Sequence, residues 1–188
     1  MKSKNDLKKQ IKALVMCAIC LAMLVLSAWV TIPFAIPFTL QTMALTLIIA
    51  VLGGELASCV VICYFTMGII GLPVFAGFGN GIATLVGPTG GYLIGFLLWA
   101  LLFIVIDRVF KIREKKTFWL IIANVFCLIL LYSVGTMWFV IVWQGSKGAI
   151  SFGSALMMCV VPYIIPDVLK ISLACVAYTR IKKTRVLN

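Results

Sequence analysis

The chain has 188 residues, of which 64% are hydrophobic and only 11% are charged. Soluble domains carry about 45–50% apolar and about 25% charged residues, so this chain has too little polar surface to coat a water-soluble core. Length and composition predict a single domain, residues 1–188, that resides in a lipid bilayer. Because the chain contains no histidine, it lacks the usual general base and the commonest zinc ligand. Hydrolytic or metal chemistry would therefore need unusual residues, and we expect no metal and no cofactor.

Six apolar stretches follow one another along the chain, and each is predicted to be a transmembrane helix. They cover residues 13–32, 40–52, 56–72, 91–106, 118–143 and 154–178. A cleaved signal peptide is the alternative for the first stretch, but the apolar run is too long and no small-x-small site closes it. The predicted fold class is an all-α membrane protein with six transmembrane helices.

The net charge of +11 comes mainly from lysines and arginines in three clusters, at residues 2–12, 108–116 and 180–185. Only Lys147 and Lys170 lie elsewhere. Long apolar stretches separate the clusters, which is typical of positive-inside membrane topology and not of a nucleic-acid-binding face. We therefore predict that both termini are cytoplasmic and that nucleic acid is not a partner.

The connection between the first two apolar stretches is irregular, because it contains Pro33 and Pro37 and no charge. The second stretch is about 20 Å long as a helix, too short to cross a bilayer alone. We therefore predict an extended apolar segment that dips into the membrane or lies over it. Such backbone is tolerated only when it is buried in protein or lines a cavity. Gln41, at its end, either contacts a ligand or satisfies the backbone of this loop.

A second irregular stretch, residues 71–91, contains seven glycines and two prolines together with aromatic residues and no charge. A flexible linker would be polar, so this composition predicts an ordered outward-facing lid or re-entrant loop over a central ligand cavity. Asn80 either faces that ligand or is a turn residue before Gly81.

Asp167 and Lys170 are the only charged residues inside the predicted spans. An uncompensated lysine or aspartate in the middle of a bilayer costs roughly 3 kcal/mol. Residues three apart share a helix face and can pair, and Pro162 and Pro166 are predicted to break the helix just outward of them. The pair either neutralises itself within the bundle or forms a polar patch in an apolar cavity that opens outward; we favour the second interpretation.

Small residues spaced four apart occur in the first stretch, at Ala18 and Ala22, and at the start of the fourth, at Gly87, Gly91 and Gly95. This spacing lets helix backbones approach closely. It indicates either packing within the bundle or contact with a partner protein.

Four motifs together resemble one known family. They are PFTLQT at 37–42, GLPVFAG at 71–77, GPTGGYLIGF at 87–96, and Pro162-Tyr163 followed by Asp167 and Lys170. In this order and spacing, over essentially the whole chain, the sequence resembles the BioY-type biotin-binding substrate components of energy-coupling factor (ECF) transporters. The family usually has proline and glycine before the aspartate, where this chain has Ile165 and Pro166, and glycine where it has Phe78.

The resemblance implies a vitamin-capture subunit in the bacterial cytoplasmic membrane whose site faces outward. Such subunits work with a transmembrane coupling protein and two cytoplasmic ATPases, and hydrolyse nothing themselves. They meet the coupling protein through an alanine-spaced face of the first helix, a pattern that Ala18 and Ala22 fit.

Biotin has a ureido ring with two N–H donors and a carbonyl, an apolar thioether ring and a carboxylate. We expect Asp167 to accept the N–H groups and Lys170 to balance the carboxylate or hold Asp167. The other candidate ligand contacts are Asn80 or Gln41 to the carbonyl and Tyr92, Phe75 or Tyr163 to the rings. Which end of biotin lies deeper stays open.

The sequence leaves three alternative functions. A substrate component for another small vitamin is the nearest. A small autonomous secondary transporter would show an inverted repeat or a proton-relay series. A membrane-embedded enzyme, such as a lipid phosphotransferase, would need several acids or histidines around a metal, and one intramembrane acid is too few.

Overall fold

The computed structural model describes residues 4–183, with side chains described for residues 6–145 and 148–183. Among the cations used to predict the topology, Lys2 and Arg185 lie outside the described residues, as do the side chains of Lys4 and Lys147. In chain order the elements are α1 (Lys4–Trp29), β1 (Thr31–Ile32), β2 (Phe38–Thr39), α2 (Gln41–Leu52), α3 (Gly54–Ile69), α4 (Gly81–Val86), α5 (Gly90–Phe110), α6 (Thr117–Lys147), α7 (Phe152–Cys159) and α8 (Val161–Lys183).

Every predicted apolar stretch is helical over most of its length, because long runs of apolar residues satisfy their backbone polar groups within a helix when no water is present. Four stretches of the described chain are long and apolar enough to cross a bilayer: 6–29, 90–110, 117–145 and 152–183. The two remaining apolar helices, α2 and α3, have 12 and 16 residues. The described chain is therefore an almost entirely helical protein with the character of a multi-pass membrane protein.

Contacts between the connections define two ends of the molecule. We call one the basic end: it holds the α2–α3 turn, where Gly53 lies beside Arg113, the segment 111–116, and the last turns of α8, where Lys182 bonds to the carbonyl of Arg113. The other, the cavity end, holds the connections 30–40, 70–89 and 148–160. Helix α5 packs most extensively on α6, α2 packs on α8, and α1 packs on α2 and α3.

Glycines allow the close approach of α5 to α6. A Cβ at Gly91 would lie 2.2 Å from the Cβ of Trp138, and a Cβ at Gly95 would lie 2.5 Å from Cδ1 of Leu131. The small-residue spacing at the start of α5 is therefore packing within the bundle. Ala18 and Ala22 do not pack within the bundle in this way, because both are exposed on the outer face of α1.

The last apolar stretch is broken, but not where the prolines predicted. Val160 (φ −125°, ψ −56°) separates α7 from α8. Pro162 is the second residue of α8, where a missing N–H costs nothing because that group has no partner within the helix. The predicted break at Pro166 was wrong, since α8 continues through it.

Candidate ligand-binding site

The segment between α1 and α2 is extended, as predicted. Its two short strands pair antiparallel, with Thr31 opposite Thr39 and Ile32 opposite Phe38. The hydroxyl of Tyr163 on α8 donates a hydrogen bond to the carbonyl of Ile36. This bond fixes the hairpin over the N-terminal end of α8.

The glycine-rich stretch is ordered and is tied to the same hairpin. Trp29 Nε1 donates to the carbonyl of Pro73 at 2.8 Å, and the Gly77 amide donates to Oγ1 of Thr31 at 3.2 Å. Gly77 has φ +63°, a left-handed conformation that favours glycine. The two irregular stretches therefore form one cover at the cavity end, consistent with the predicted lid.

A partly enclosed cavity lies beneath this cover, between α2, α5, α6 and α8. It contains about 730 Å³ of space free of protein atoms, counted together with its open mouth. Six of the seven sequence-predicted ligand contacts line it: Gln41, Phe75, Tyr92, Tyr163, Asp167 and Lys170. The structure thus brings together residues that lie more than 100 positions apart in the sequence.

The predicted pairing of Asp167 with Lys170 is confirmed. Lys170 Nζ lies 2.9 Å from Asp167 Oδ1, and their side chains are only 9% and 6% exposed, respectively. Lys170 Nζ also donates to the carbonyl of Thr39 at 2.6 Å and lies 3.6 Å from the centre of the Phe38 ring. The ammonium group is therefore compensated by a carboxylate, a carbonyl and an aromatic face.

Two side chains that sequence reasoning missed complete the environment of Asp167. Thr42 Oγ1 donates to Oδ1 at 2.9 Å, and the Tyr132 hydroxyl donates to Oδ2 at 2.8 Å. With Lys170, three side chains from three helices donate to one buried carboxylate. Such bonds offset the cost of removing the charge from water.

Aromatic rings form much of the remaining wall. The rings of Phe38 and Tyr163 stack with centres 6.2 Å apart. The Tyr92 hydroxyl lies 3.2 Å from Oγ1 of Thr136, which anchors its ring between α5 and α6. Phe75 is fully buried, and its ring reaches the wall because Gly68 has no side chain: a Cβ there would lie 2.0 Å from it.

Gln41 connects the cavity wall to the glycine-rich stretch. Its Nε2 donates to the hydroxyl of Tyr64 at 2.9 Å, and that hydroxyl donates to the carbonyl of Val74 at 3.0 Å. Its Oε1 accepts from Thr39 Oγ1 at 3.0 Å. These bonds agree with the interpretation that Gln41 holds the loops, and its contact with a ligand stays a prediction.

Asn80 is exposed and does not line the cavity. It directly precedes α4, and its carbonyl accepts from Thr84 Oγ1 at 2.8 Å. Gly81 follows with φ +74°, as a turn requires. The turn interpretation therefore describes Asn80 in this structure, and its contact with a ligand stays a prediction.

The arrangement suits binding of a small molecule. An ion pair at the base of an aromatic cavity offers one acceptor of N–H groups and one cationic donor, surrounded by apolar surface. Among the described residues no group of three histidine, cysteine or acidic side chains could hold a metal ion. The lining therefore suits a ligand that combines polar groups with apolar rings.

Comparisons with known proteins agree with this geometry. A model described as the BioY family matches residues 1–186. The chain is 34% identical to a biotin transporter BioY of Thermotoga maritima, covering 93% of this chain and 98% of that one. It is 33% identical to a probable biotin transporter BioY of Pyrococcus horikoshii, covering 78% of this chain and 81% of that one. A crystal structure of the S-component for biotin from an ECF-type ABC transporter is similar with a TM-score of 0.83 and 25% identity, covering 97% of this chain and 95% of that one.

Proposed function

Because the chain belongs to the BioY family, we propose that it captures biotin as the membrane-embedded substrate component of an ECF-type vitamin importer. The observation that carries this function is the buried ion pair of Asp167 and Lys170 at the base of an aromatic cavity. The protein binds its substrate without altering it and is not an enzyme.

Asp167 is proposed to receive the ureido head of biotin. A carboxylate has about four lone-pair sites, and three are occupied by Thr42, Tyr132 and Lys170. The remaining site accepts one ureido N–H, whereas the second N–H of the cyclic urea points away from Asp167. An analogue without N–H groups leaves the buried carboxylate with one hydrogen bond fewer. Because water does not replace that bond in the buried site, the analogue binds more weakly than biotin.

The aromatic residues are proposed to hold the fused rings of biotin. Phe38 and Tyr163 stack beside Lys170, and Tyr92 and Phe75 face the same cavity. Their flat apolar faces match the thioether ring, whereas the open mouth leaves room for the valerate chain. In this orientation Lys170 positions Asp167, and the carboxylate of biotin lies toward the outside.

Equilibrium binding with competition tests this function. Biotin is titrated into the detergent-purified full chain, and thiamine and riboflavin are then added as competitors. We expect sub-micromolar biotin binding that neither vitamin displaces at equal concentration. Failure of the folded protein to bind biotin, or displacement by another vitamin, would remove the proposal.

Tyr132→Phe is expected to weaken biotin binding, because it deletes one donor to the buried carboxylate without changing the shape of the wall. A lost hydrogen bond to a charged group costs about 1.5–3 kcal/mol, or roughly ten- to a hundredfold in affinity. Ser133→Ala is the matched control, because its hydroxyl bonds only to the carbonyl of Ile129 on its own helix. Equal affinities of the two variants would contradict a role for Tyr132.

We propose that the chain crosses the cytoplasmic membrane of a bacterial cell six times, with both termini in the cytoplasm. Support comes from the basic end, where the cations of residues 113–116 and of the last turns of α8 line one cavity. Helix α2, about 18 Å long, completes its crossing with the extended hairpin. The cavity then opens to the outside.

The partners are proposed to be a transmembrane coupling protein and two cytoplasmic ATPase subunits. The outer face of α1 supports contact with the coupling protein, because Ala18 and Ala22 are exposed there and permit close backbone approach.

The double substitution Ala18→Trp with Ala22→Trp is expected to abolish co-purification with the coupling protein, because the larger side chains prevent close approach of the helices. Biotin affinity is expected to stay within about twofold of the original, because no described residue of α1 lines the cavity. Ile129→Trp, on the exposed face of α6, is the control for an added lipid-facing tryptophan. If assembly survives the double substitution, the face is an ordinary lipid contact.

A further inference from the structure

A second cavity lies at the basic end, between the start of α6 and the last turns of α8. Among the residues that the structure describes, five cations and no acid contribute to its wall. They are Arg113, Lys115, Lys116, Lys182 and Lys183. Positive-inside topology explains the presence of cations at this face of the membrane, but it does not explain why they converge on one cavity.

Two of the five cations build the cavity. Arg113 Nε pairs with Asp107 Oδ2 at 2.7 Å, and Lys182 Nζ donates to the carbonyl of Arg113 at 2.8 Å. These bonds join the segment after α5 to the end of α8 and give the cavity a fixed shape. Lys116 and Lys183 are exposed at its edge. Lining one cavity, these like charges repel one another unless an anion lies among them.

Neighbouring aromatic residues indicate the depth of this cavity in the membrane. Lys115 Nζ lies 5.9 Å from the ring centre of Phe110 and 5.7 Å from that of Trp119. Phe118 and Trp119 are 64% and 49% exposed, so they face lipid beside the cavity. Exposed tryptophan at the end of a spanning helix lies at the headgroup level of a bilayer. The cations are thus placed where lipid phosphates lie.

We propose that this cavity binds the phosphate headgroup of an anionic phospholipid, with the acyl chains against the exposed aromatic residues of α5 and α6. The recognised chemistry is a phosphate held by several cations, as in basic pockets between transmembrane helices. A lipid is favoured over soluble phosphate because exposed aromatic residues adjoin the cavity: Phe118 directly follows the wall residue Thr117, and Phe110 lies beside the wall residue Lys115. This site is separate from the biotin cavity, at the opposite end of the bundle.

Lipid titration of the full chain in detergent, followed by native mass spectrometry, tests the proposal. Phosphatidylglycerol is compared with phosphatidylcholine, and inorganic phosphate is added as a competitor. We expect phosphatidylglycerol to bind about tenfold more tightly than phosphatidylcholine, and inorganic phosphate not to displace it at equal concentration. Equal binding of the two lipids, or displacement by inorganic phosphate, would overturn the lipid assignment.

Matched variants locate the effect. Lys116→Gln with Lys183→Gln removes two cations from the cavity, whereas Lys8→Gln with Lys9→Gln removes two exposed cations from the start of α1. The first variant is expected to weaken phosphatidylglycerol binding about tenfold and the second to leave it within twofold. An equal loss in both would show attraction by overall charge and reject a site.

Two further readouts keep the test decisive. Biotin affinity reports whether each variant is folded. If the double variant no longer binds biotin, Lys116→Gln and Lys183→Gln are tested singly. Loss of assembly with the ATPase module while lipid binding is unchanged would assign the cations to an acidic protein surface and overturn the proposal.

Discussion

Asp167→Asn is expected to weaken biotin binding by about a hundredfold or more. The amide keeps the shape of the side chain but cannot serve as a charged acceptor for the ureido N–H, and that bond contributes about 1.5–3 kcal/mol. It also leaves the Lys170 ammonium buried without its carboxylate. Removal of one member of a buried pair costs about 3–5 kcal/mol of unfolding free energy. Equilibrium biotin binding and thermal unfolding of the purified protein measure the two effects separately.

A double variant separates the role of the pair in folding from its role in binding. Asp167→Asn with Lys170→Met removes both charges, so no uncompensated ion remains in the interior. We expect the unfolding temperature to recover while biotin binding stays lost. Recovery of both would mean that the pair only neutralises itself within the bundle, the interpretation disfavoured from the sequence.

Asp107→Asn is the matched control for the loss of an acid. Asp107 forms the other part-buried pair, with Arg113, but at the basic end. Its substitution is expected to leave biotin affinity within twofold of the unaltered protein. A comparable loss of affinity would show that binding responds to any damage to the bundle.

Gly91→Ala is expected to lower both the unfolding temperature and biotin affinity. The new methyl group would lie 2.2 Å from the Cβ of Trp138, an atom attached directly to the backbone of α6. Overpacking of this kind costs about 1–3 kcal/mol, and the helices can relieve it only by moving apart. That movement displaces Tyr92 on α5 and Tyr132 on α6 from their partners at the cavity. Thermal unfolding and biotin titration measure both consequences.

Gly145→Ala controls for the change of residue type. Gly145 lies in α6, on the other helix of the pair, and nothing is within 4 Å of the position of its Cβ. Alanine is the better helix former by roughly 1 kcal/mol, so we expect equal or slightly higher stability and unchanged affinity. A loss of stability at Gly145 equal to that at Gly91 would contradict the packing explanation.

The helical stretches and the central ion pair were predictable because the bilayer imposes simple rules on a sequence. Apolar runs of sufficient length form helices, and a charge inside one needs a partner. Asp167, three residues from Lys170, was therefore predictable as its partner from the sequence. The short second stretch and its prolines likewise predicted the extended hairpin that carries Thr39 and Phe38 to the pair.

Contacts made by neutral residues were not predictable in the same way. Tyr132 is one hydroxyl in a long apolar stretch, and nothing local indicates that it faces Asp167 rather than Tyr92 or lipid. Its only signal is a polar group inside a predicted span. The exposure of Asn80 depends on the path of the glycine-rich stretch, which sequence spacing does not determine. The helix break at Val160 depends on how α7 packs against α6, whereas Pro166 is tolerated inside α8.

A structure of the purified protein with biotin bound tests the central claim most directly, because it shows whether the ion pair contacts the vitamin. We predict the ureido head within hydrogen-bond distance of Asp167, the fused rings between Phe38, Tyr92 and Tyr163, and Lys170 still paired with the aspartate. Biotin bound elsewhere, with Asp167 and Lys170 sealed among the helices and out of reach, would contradict the account.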